Sequence, residues 1–342
     1  MGVTSGGGYG ARMQTNRRIL LRKRPVGMIT DDCFELVTAA VPEPGTGEAV
    51  VRVEYLSLDP TQRGWISHDS YLPAVPIGDV VRSGGAGTVV ASRNDAYPVG
   101  ARVFGLTGWQ DYAVIGADVL AQVLPDTVDT VDALSVFGTT GLTAYFGLFD
   151  LGRPKAGETL VVSGAAGGVG SVVVQLGRIA GCRVVGLAGS DEKCRWVEEL
   201  GADACVNYKT EKVGERLDAL CPDGIDIYFD NVGGEILDEC LARLALRARV
   251  IACGAISQYN ETEAVPGPKN WFNIVPMRAR VEGFIVIDYL PRALEAMLAM
   301  HEWMEAGKLV NRVQIIDGLE AAPTAINLLF TGGNTGKLLV KV

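Results

Sequence analysis

The sequence predicts an α/β protein in two parts, a mostly-β domain joined to a doubly wound parallel sheet. Residues 35–125 carry short β-like runs separated by Gly, Pro and Asp turns. From about residue 158 the pattern changes to continuous apolar strands alternating with helices. That alternation implies a parallel sheet covered on both faces. The length, 342 residues with 48% hydrophobic and 21% charged, suits two domains better than one.

In chain order, Ala49 to Tyr55 and Gly87 to Val90 read as strands of the first part. Glu158 to Ser163 is an apolar strand, followed by a helix through about Gly181. Arg183 to Leu187 and Asp191 to Leu200 are the next strand and helix. Ala204 to Val206, Ile225 to Phe229 and Arg249 to Cys253 complete a set of five strands. A helix is expected near 289–306, with Leu294, Met297, Leu298 and His301 on one side. The Val- and Leu-rich tail, Thr335 to Val342, is expected to return to the β domain as a strand.

Composition excludes several classes of function. A net charge of −9 argues against a dedicated nucleic-acid binder, which needs clustered Lys and Arg. The one basic run, Arg17 to Arg24, is broken by Ile19-Leu20-Leu21 and reads as a solvated strand edge. No apolar stretch is long enough to span a membrane. Residues 1–12 are rich in Gly and Ser and are expected to form a disordered leader, with Met13 as an alternative start. The seven scattered cysteines, with no C-x-x-C, fit reduced thiols in the cytoplasm. Only two histidines are present, His68 and His301, and no Cys/His spacing suits zinc, so no metal is expected. A G-x-S-x-G elbow is also absent.

The segment Leu160 to Gly170, LVVSGAAGGVG, runs an apolar strand into a glycine cluster and then a helix. That is the context a Rossmann dinucleotide loop requires. Gly167 lets the backbone approach the pyrophosphate, and Gly170 lets the helix pack closely on the strand. Gly168 and Val169 lie between them, where the helix N-terminus offers free N–H groups to phosphate. The first glycine of G-x-G-x-x-G is Ala165 here, and an ordinary tight turn is the alternative reading. An NAD site carries a carboxylate at the end of the second strand, to bond the ribose hydroxyl. This strand ends instead in Gly186 to Ser190, with Lys193 within one turn, which favours NADP(H). Lys193 as a surface lysine and Ser190 as a helix cap are the alternatives.

Five runs resemble one family: AAGGVGSVV from Ala165, GSDEK from Gly189, NYK from Asn207, YFDNVGG from Tyr228 and CGAISQYN from Cys253. They resemble the zinc-free branch of the medium-chain dehydrogenase/reductases. The narrower likeness is to the leukotriene B4 hydroxydehydrogenase and prostaglandin reductase group, with its plant alkenal double-bond reductases and bacterial curcumin-reductase-like enzymes. The resemblance runs from about residue 20 to the C-terminus. It implies a GroES-like β-rich substrate domain over residues 13–140 and 310–342, and a Rossmann NADP-binding domain over 141–309. It implies that Gly167, Gly168, Val169 and Gly170 hold the pyrophosphate, with Ser190, Lys193 and Tyr208 around the 2′-phosphate. It also places Asn231, Cys253, Gly254, Ala255, Ile256, Ser257, Tyr259, Phe284, Ile285, Val286 and Asn334 along the nucleotide and nicotinamide. Phe284 to Val286 as a buried strand, Cys253 as core and Asn334 as a turn former are the alternatives there.

The implied reaction is NADPH-dependent reduction of the double bond of α,β-unsaturated aldehydes or ketones. Hydride goes to the β carbon and the resulting enolate is protonated at the α carbon. Tyr259 is the expected donor to the enolate, with water as the alternative. Many alkenal reductases of this type carry another tyrosine in the segment matching Leu58 to Arg63; Thr61 stands near that place here, which leaves the substrate range open. A quinone reductase of the same superfamily and an inactive NADP-binding regulator are the rival readings. A homodimer through the Rossmann sheet edges is expected from the resemblance.

Overall fold

The computed structural model describes residues 15–116 and 121–342, so the expected leader over 1–12 lies outside the described residues. The first part contains strands β1 (Thr15–Leu21), β2 (Phe34–Ala40), β3 (Ala49–Leu58), β4 (Gly84–Ser92), β5 (Arg102–Leu106), β6 (Tyr112–Ile115) and β7 (Ala121–Val123). The second contains β8 (Thr159–Ser163), β9 (Arg183–Ala188), β10 (Ala204–Asn207), β11 (Ile225–Asp230), β12 (Leu244–Ala252) and β13 (Arg280–Gly283). Two more, β14 (Val313–Asp317) and β15 (Lys337–Lys341), follow at the C-terminal end.

β8 to β13 form a six-stranded sheet in the order β10-β9-β8-β11-β12-β13, with parallel pairing throughout. Alternating side chains explain why both faces are covered. Leu160, Val162, Ile227 and Phe229 point into one core, and Val161, Val185 and Tyr228 into the other. Helices Gly168–Ile179, Asp191–Glu199 and Ala293–Glu305 close the first face; Val213–Leu220 and Gly234–Leu241 close the second. Strand order reverses between β8 and β11, which opens a crevice at their C-terminal ends.

β3 to β7, β14 and β15 form the other large sheet, with β1 and β2 as a separate antiparallel pair. β15 pairs antiparallel with β3, Leu338 opposite Leu58. Just before that strand, the Gly336 N–H donates to the Ala166 carbonyl at 2.8 Å. The end of the chain therefore passes directly over the glycine loop.

Two sequence expectations need correction. The helix near 289–306 is a 3-10 turn, Val286–Arg292, running into an α-helix, Ala293–Glu305. Its core side is Ala293, Ala296 and Met300, whereas Leu294 and Leu298 are exposed. Small alanines let the helix sit close to the helix Thr139–Phe146, so the leucine stripe marks the outer side. The fifth strand, expected over Arg249 to Cys253, begins earlier, at Leu244. Among the described residues, no helix is long and apolar enough to cross a membrane.

Candidate active site

The glycine loop leaves the end of β8 and opens helix Gly168–Ile179 at the crevice. Gly167 is the extended residue before the helix, and Gly168, Val169 and Gly170 form its first turn. No side chain caps this N-terminus, so its free N–H groups remain open to an anion. A Cβ on Gly170 would run into the Gly164 carbonyl, a backbone atom that cannot swing aside. The close packing there admits only glycine.

The residues expected around a 2′-phosphate gather at the turn after β9. Ser190 caps helix Asp191–Glu199, its hydroxyl accepting the Lys193 N–H at 3.3 Å. Asp191 is turned to the Asn207 side-chain amide, which donates to it at 2.6 Å. Its carboxylate is thus engaged with β10. At Gly189, a Cβ would meet the Tyr208 hydroxyl at 2.6 Å and Lys209 Cε at 3.4 Å. Tyr208 and Lys209 therefore fold over the turn only because residue 189 is glycine. Lys193 reaches across to the Gly332 carbonyl at 2.9 Å and bonds no carboxylate among the described residues. Burial and then Lys209 lower its pKa from the ordinary value. Among the described residues neither ammonium is in a direct ion pair, although Glu192 adds a weaker opposing charge at Lys193, and two such neighbouring cations suit a dianionic phosphate. Lys209 was missed by the sequence reading, although the NYK run contains it.

Asn231, at the end of β11, bridges to β8. Its side chain donates to the Ser163 carbonyl at 2.7 Å, and its N–H donates to the Ser163 hydroxyl at 2.9 Å. The buried Asp230 carboxylate gathers the surrounding turn. One oxygen accepts from Tyr228 at 2.7 Å, Ser163 at 3.1 Å, and the N–H groups of Val232 and Gly233 at 3.0 and 2.9 Å. The N–H groups of Cys253 and Gly254 donate to its carbonyl at 2.9 and 3.0 Å. Ile256 and Ser257 are bonded to the Asn231 and Val232 carbonyls. The run from Cys253 to Ser257 is thus seated on the β11 turn. The Cys253 thiol is pushed up to about 12 by burial, with Asp230 adding to the shift. It is neutral and unsuited to act as a nucleophile.

Tyr259 closes this turn over itself. The Ala255 N–H donates to its hydroxyl oxygen at 3.2 Å, which leaves the phenol's own proton free to be given away. Burial raises the Tyr259 pKa, with the Ala255 N–H opposing, so the phenol is neutral at neutral pH. Phe284 lies just beyond β13, its ring packed at Gly147 and 6.1 Å from that of Tyr289. Ile285 and Val286 follow at the same edge of the sheet, where the 3-10 turn begins. Asn334 is buried, and its amide donates to the Gly336 carbonyl at 3.0 Å. It shapes the tail turn that crosses the glycine loop.

From the β-rich part, Thr61 and Trp65 meet Tyr71. The Thr61 and Tyr71 hydroxyls are 2.6 Å apart, and the Trp65 indole donates to Tyr71 at 3.1 Å. A phenol thus stands at Thr61 after all, supplied ten residues later in the chain. Buried Lys337 donates to the Leu58 carbonyl at 2.9 Å and pairs with Asp59, tying β15 to the end of β3 beside Thr61. Among the described residues, no group of His, Cys, Asp and Glu is placed to hold a metal ion.

Comparison with known proteins adds the following. Residues 17–123 match a family described as the N-terminal domain of oxidoreductase, and 168–303 one described as zinc-binding dehydrogenase. The chain is 42% identical over 340 residues to the NADPH-dependent curcumin reductase of Escherichia coli, covering 97% of this chain and 99% of that one. It is 37% identical over 340 residues to a 2-alkenal reductase (NADP(+)-dependent) of Nicotiana tabacum, covering 96% and 98%. Among solved structures, CurA of Vibrio vulnificus in complex with NADPH superposes with a TM-score of 0.91 at 41% identity, covering 95% and 99%.

Proposed function

The chain belongs to the zinc-free branch of the medium-chain dehydrogenase/reductases, and from that premise we propose that it is an NADPH-dependent reductase of the double bond of α,β-unsaturated aldehydes and ketones. The observation that carries this reading is the Tyr259 hydroxyl, whose oxygen is already occupied by an N–H and whose proton is free. NADPH, when bound, supplies the hydride. In this reading Gly167 to Gly170 bind the pyrophosphate through their backbone. Ser190, Lys193, Tyr208 and Lys209 surround the 2′-phosphate. Asn231, the Cys253 to Ser257 turn, Phe284 to Val286 and Asn334 fix the nicotinamide end. Tyr259 holds its proton toward the oxygen on which enolate charge develops. Trp65 and Tyr71 form the substrate-side wall, with Tyr71 at the place that a tyrosine would occupy if residue 61 were one.

We further propose two folding units, 13–140 with 310–342 and 141–309, and a homodimer formed through the sheet edges in the cytoplasm. The edge strand β13 has no outer partner among the described residues, and Trp271, Phe272 and Val275 stand exposed nearby in the chain. All seven cysteines are free thiols. The deciding measurement is NADPH oxidation against a panel of unsaturated aldehydes, enones and quinones, with NADH as control. Turnover of enones with NADPH is the expected result. Turnover confined to quinones, or binding without turnover, contradicts the reading.

A further inference from the structure

Arg63 lies in the short helix Gln62–Trp65 and is only 6% exposed. Among the described residues it bonds no carboxylate; every acceptor it uses is neutral. Its Nε donates to Asn260 Oδ1 at 2.9 Å. One Nη donates to the Gly27 carbonyl at 3.0 Å and the Pro25 carbonyl at 3.4 Å, and the other to the Ser67 hydroxyl. Two segments far apart in the sequence, at Pro25–Gly27 and Asn260, therefore converge on one planar fork beside the nearby Ser67. Asn260, 197 residues away, is the residue directly after Tyr259. Its amide nitrogen is also directed across, to the Met28 sulfur at 3.0 Å. Its two side-chain hydrogen bonds thus join the nucleotide-binding part to the β-rich part at two points, the helix after β3 and the loop after β1.

A buried guanidinium without a counter-ion is costly to hold. Burial accordingly lowers the Arg63 pKa. A hydrophobic residue would be cheaper if filling the space were the only need. What arginine adds is a rigid set of donors that reaches several carbonyls at fixed angles. Here those donors set the height of the Tyr259–Asn260 turn against the opposite lip of the cleft.

We propose that Arg63 is a positioning residue for Tyr259. Its guanidinium clamps the Asn260 side chain to the Pro25–Gly27 loop and so fixes where the phenol proton points when substrate is bound. The inference rests on the reading of Tyr259 as the donor, and its test separates the two. Full-length protein is assayed with NADPH and cinnamaldehyde, with NADPH affinity from fluorescence titration and stability from thermal melting. Asn260→Ala removes the acceptor from a half-buried surface position. It is expected to lower kcat by about 10- to 100-fold while NADPH affinity and Tm hold. Asn260→Asp keeps an acceptor and restores kcat to within about two-fold of the parent. Arg63→Lys behaves as Asn260→Ala does, since an ammonium cannot hold Asn260 and both carbonyls at once. Placed in a Tyr259→Phe background, Asn260→Ala changes kcat by less than about two-fold, because nothing is left to position.

Tyr259→Phe slow with Asn260→Ala at full speed overturns the clamp alone. Tyr259→Phe at full speed overturns the donor reading, and the clamp with it. Equal losses from Asn260→Ala in both backgrounds, accompanied by a lowered Tm, assign Arg63 a structural role and overturn the proposal. Should Arg63→Lys fail to fold, the Asn260 series decides on its own.

Discussion

Tyr259 keeps its proton because burial raises its pKa, and the hydrogen bond it accepts from the Ala255 N–H leaves that proton uncommitted. Replacing it with phenylalanine is expected to lower kcat by about 100-fold, in the range of a lost general acid, with NADPH affinity unchanged. The pH profile tests the same group. Donation requires the neutral phenol, and burial raises the pKa above the ordinary 10.0. Activity should hold through mildly alkaline pH and fall only above the usual phenol range. Tyr259→Phe should lack that limb. At the other end of the cofactor, Lys193→Ala is expected to weaken NADPH by about 10- to 100-fold, the loss of one charged hydrogen bond, and NADH hardly at all. Equal losses in competition titrations with both nucleotides would remove the 2′-phosphate assignment. The Lys193 pKa is lowered, so NADPH affinity should decline with rising pH earlier than an exposed lysine would dictate. Lys193 was legible in the sequence because it follows its strand within one turn. Arg63 and Asn260 were not, because their relation exists only once 197 residues of chain have folded between them.

The strand, loop and helix from Thr159 to Ile179 were readable for a local reason: apolar run, glycines and helical spacing all fall within some twenty residues. The same closeness makes Gly170 the sharpest test of the element. Gly170→Ala forces a methyl against the Gly164 carbonyl, and overpacking of this kind costs about 1 to 3 kcal/mol. Thermal melting should register that loss, and NADPH affinity should fall with it as the loop shifts. Helix Ala293–Glu305 shows where periodicity misleads. Its leucines stand at helical spacing, and so do its alanines, which carry the burial. Hydrophobic spacing marks a side of a helix; which side a neighbour covers depends on how near that neighbour comes. Leu294→Ser should therefore change stability by no more than about 0.5 kcal/mol in chemical denaturation.

For the molecule as a whole, the proposed dimer would use the edge at β13, which has no outer partner among the described residues, and the exposed Phe272 nearby in the chain. Phe272→Glu is expected to shift the protein from dimer to monomer in light scattering, with the monomer still binding NADPH. A parent protein that is monomeric at micromolar concentration would contradict the dimer. The crossing of the C-terminal strand has a consequence of another kind. Lys337 bonds the Leu58 carbonyl, 279 residues earlier, so β3 lacks one neighbour until β15 has been made. At ordinary elongation rates that wait is roughly fifteen seconds to a minute, during which β3 can pair with β4 and β6 but its β15 edge stays open. The parallel sheet, complete by Gly283, has no such delay. Birth order thus runs opposite to chain order: the later-encoded half can finish folding first. The first half then closes only as the tail emerges and is laid over the glycine loop.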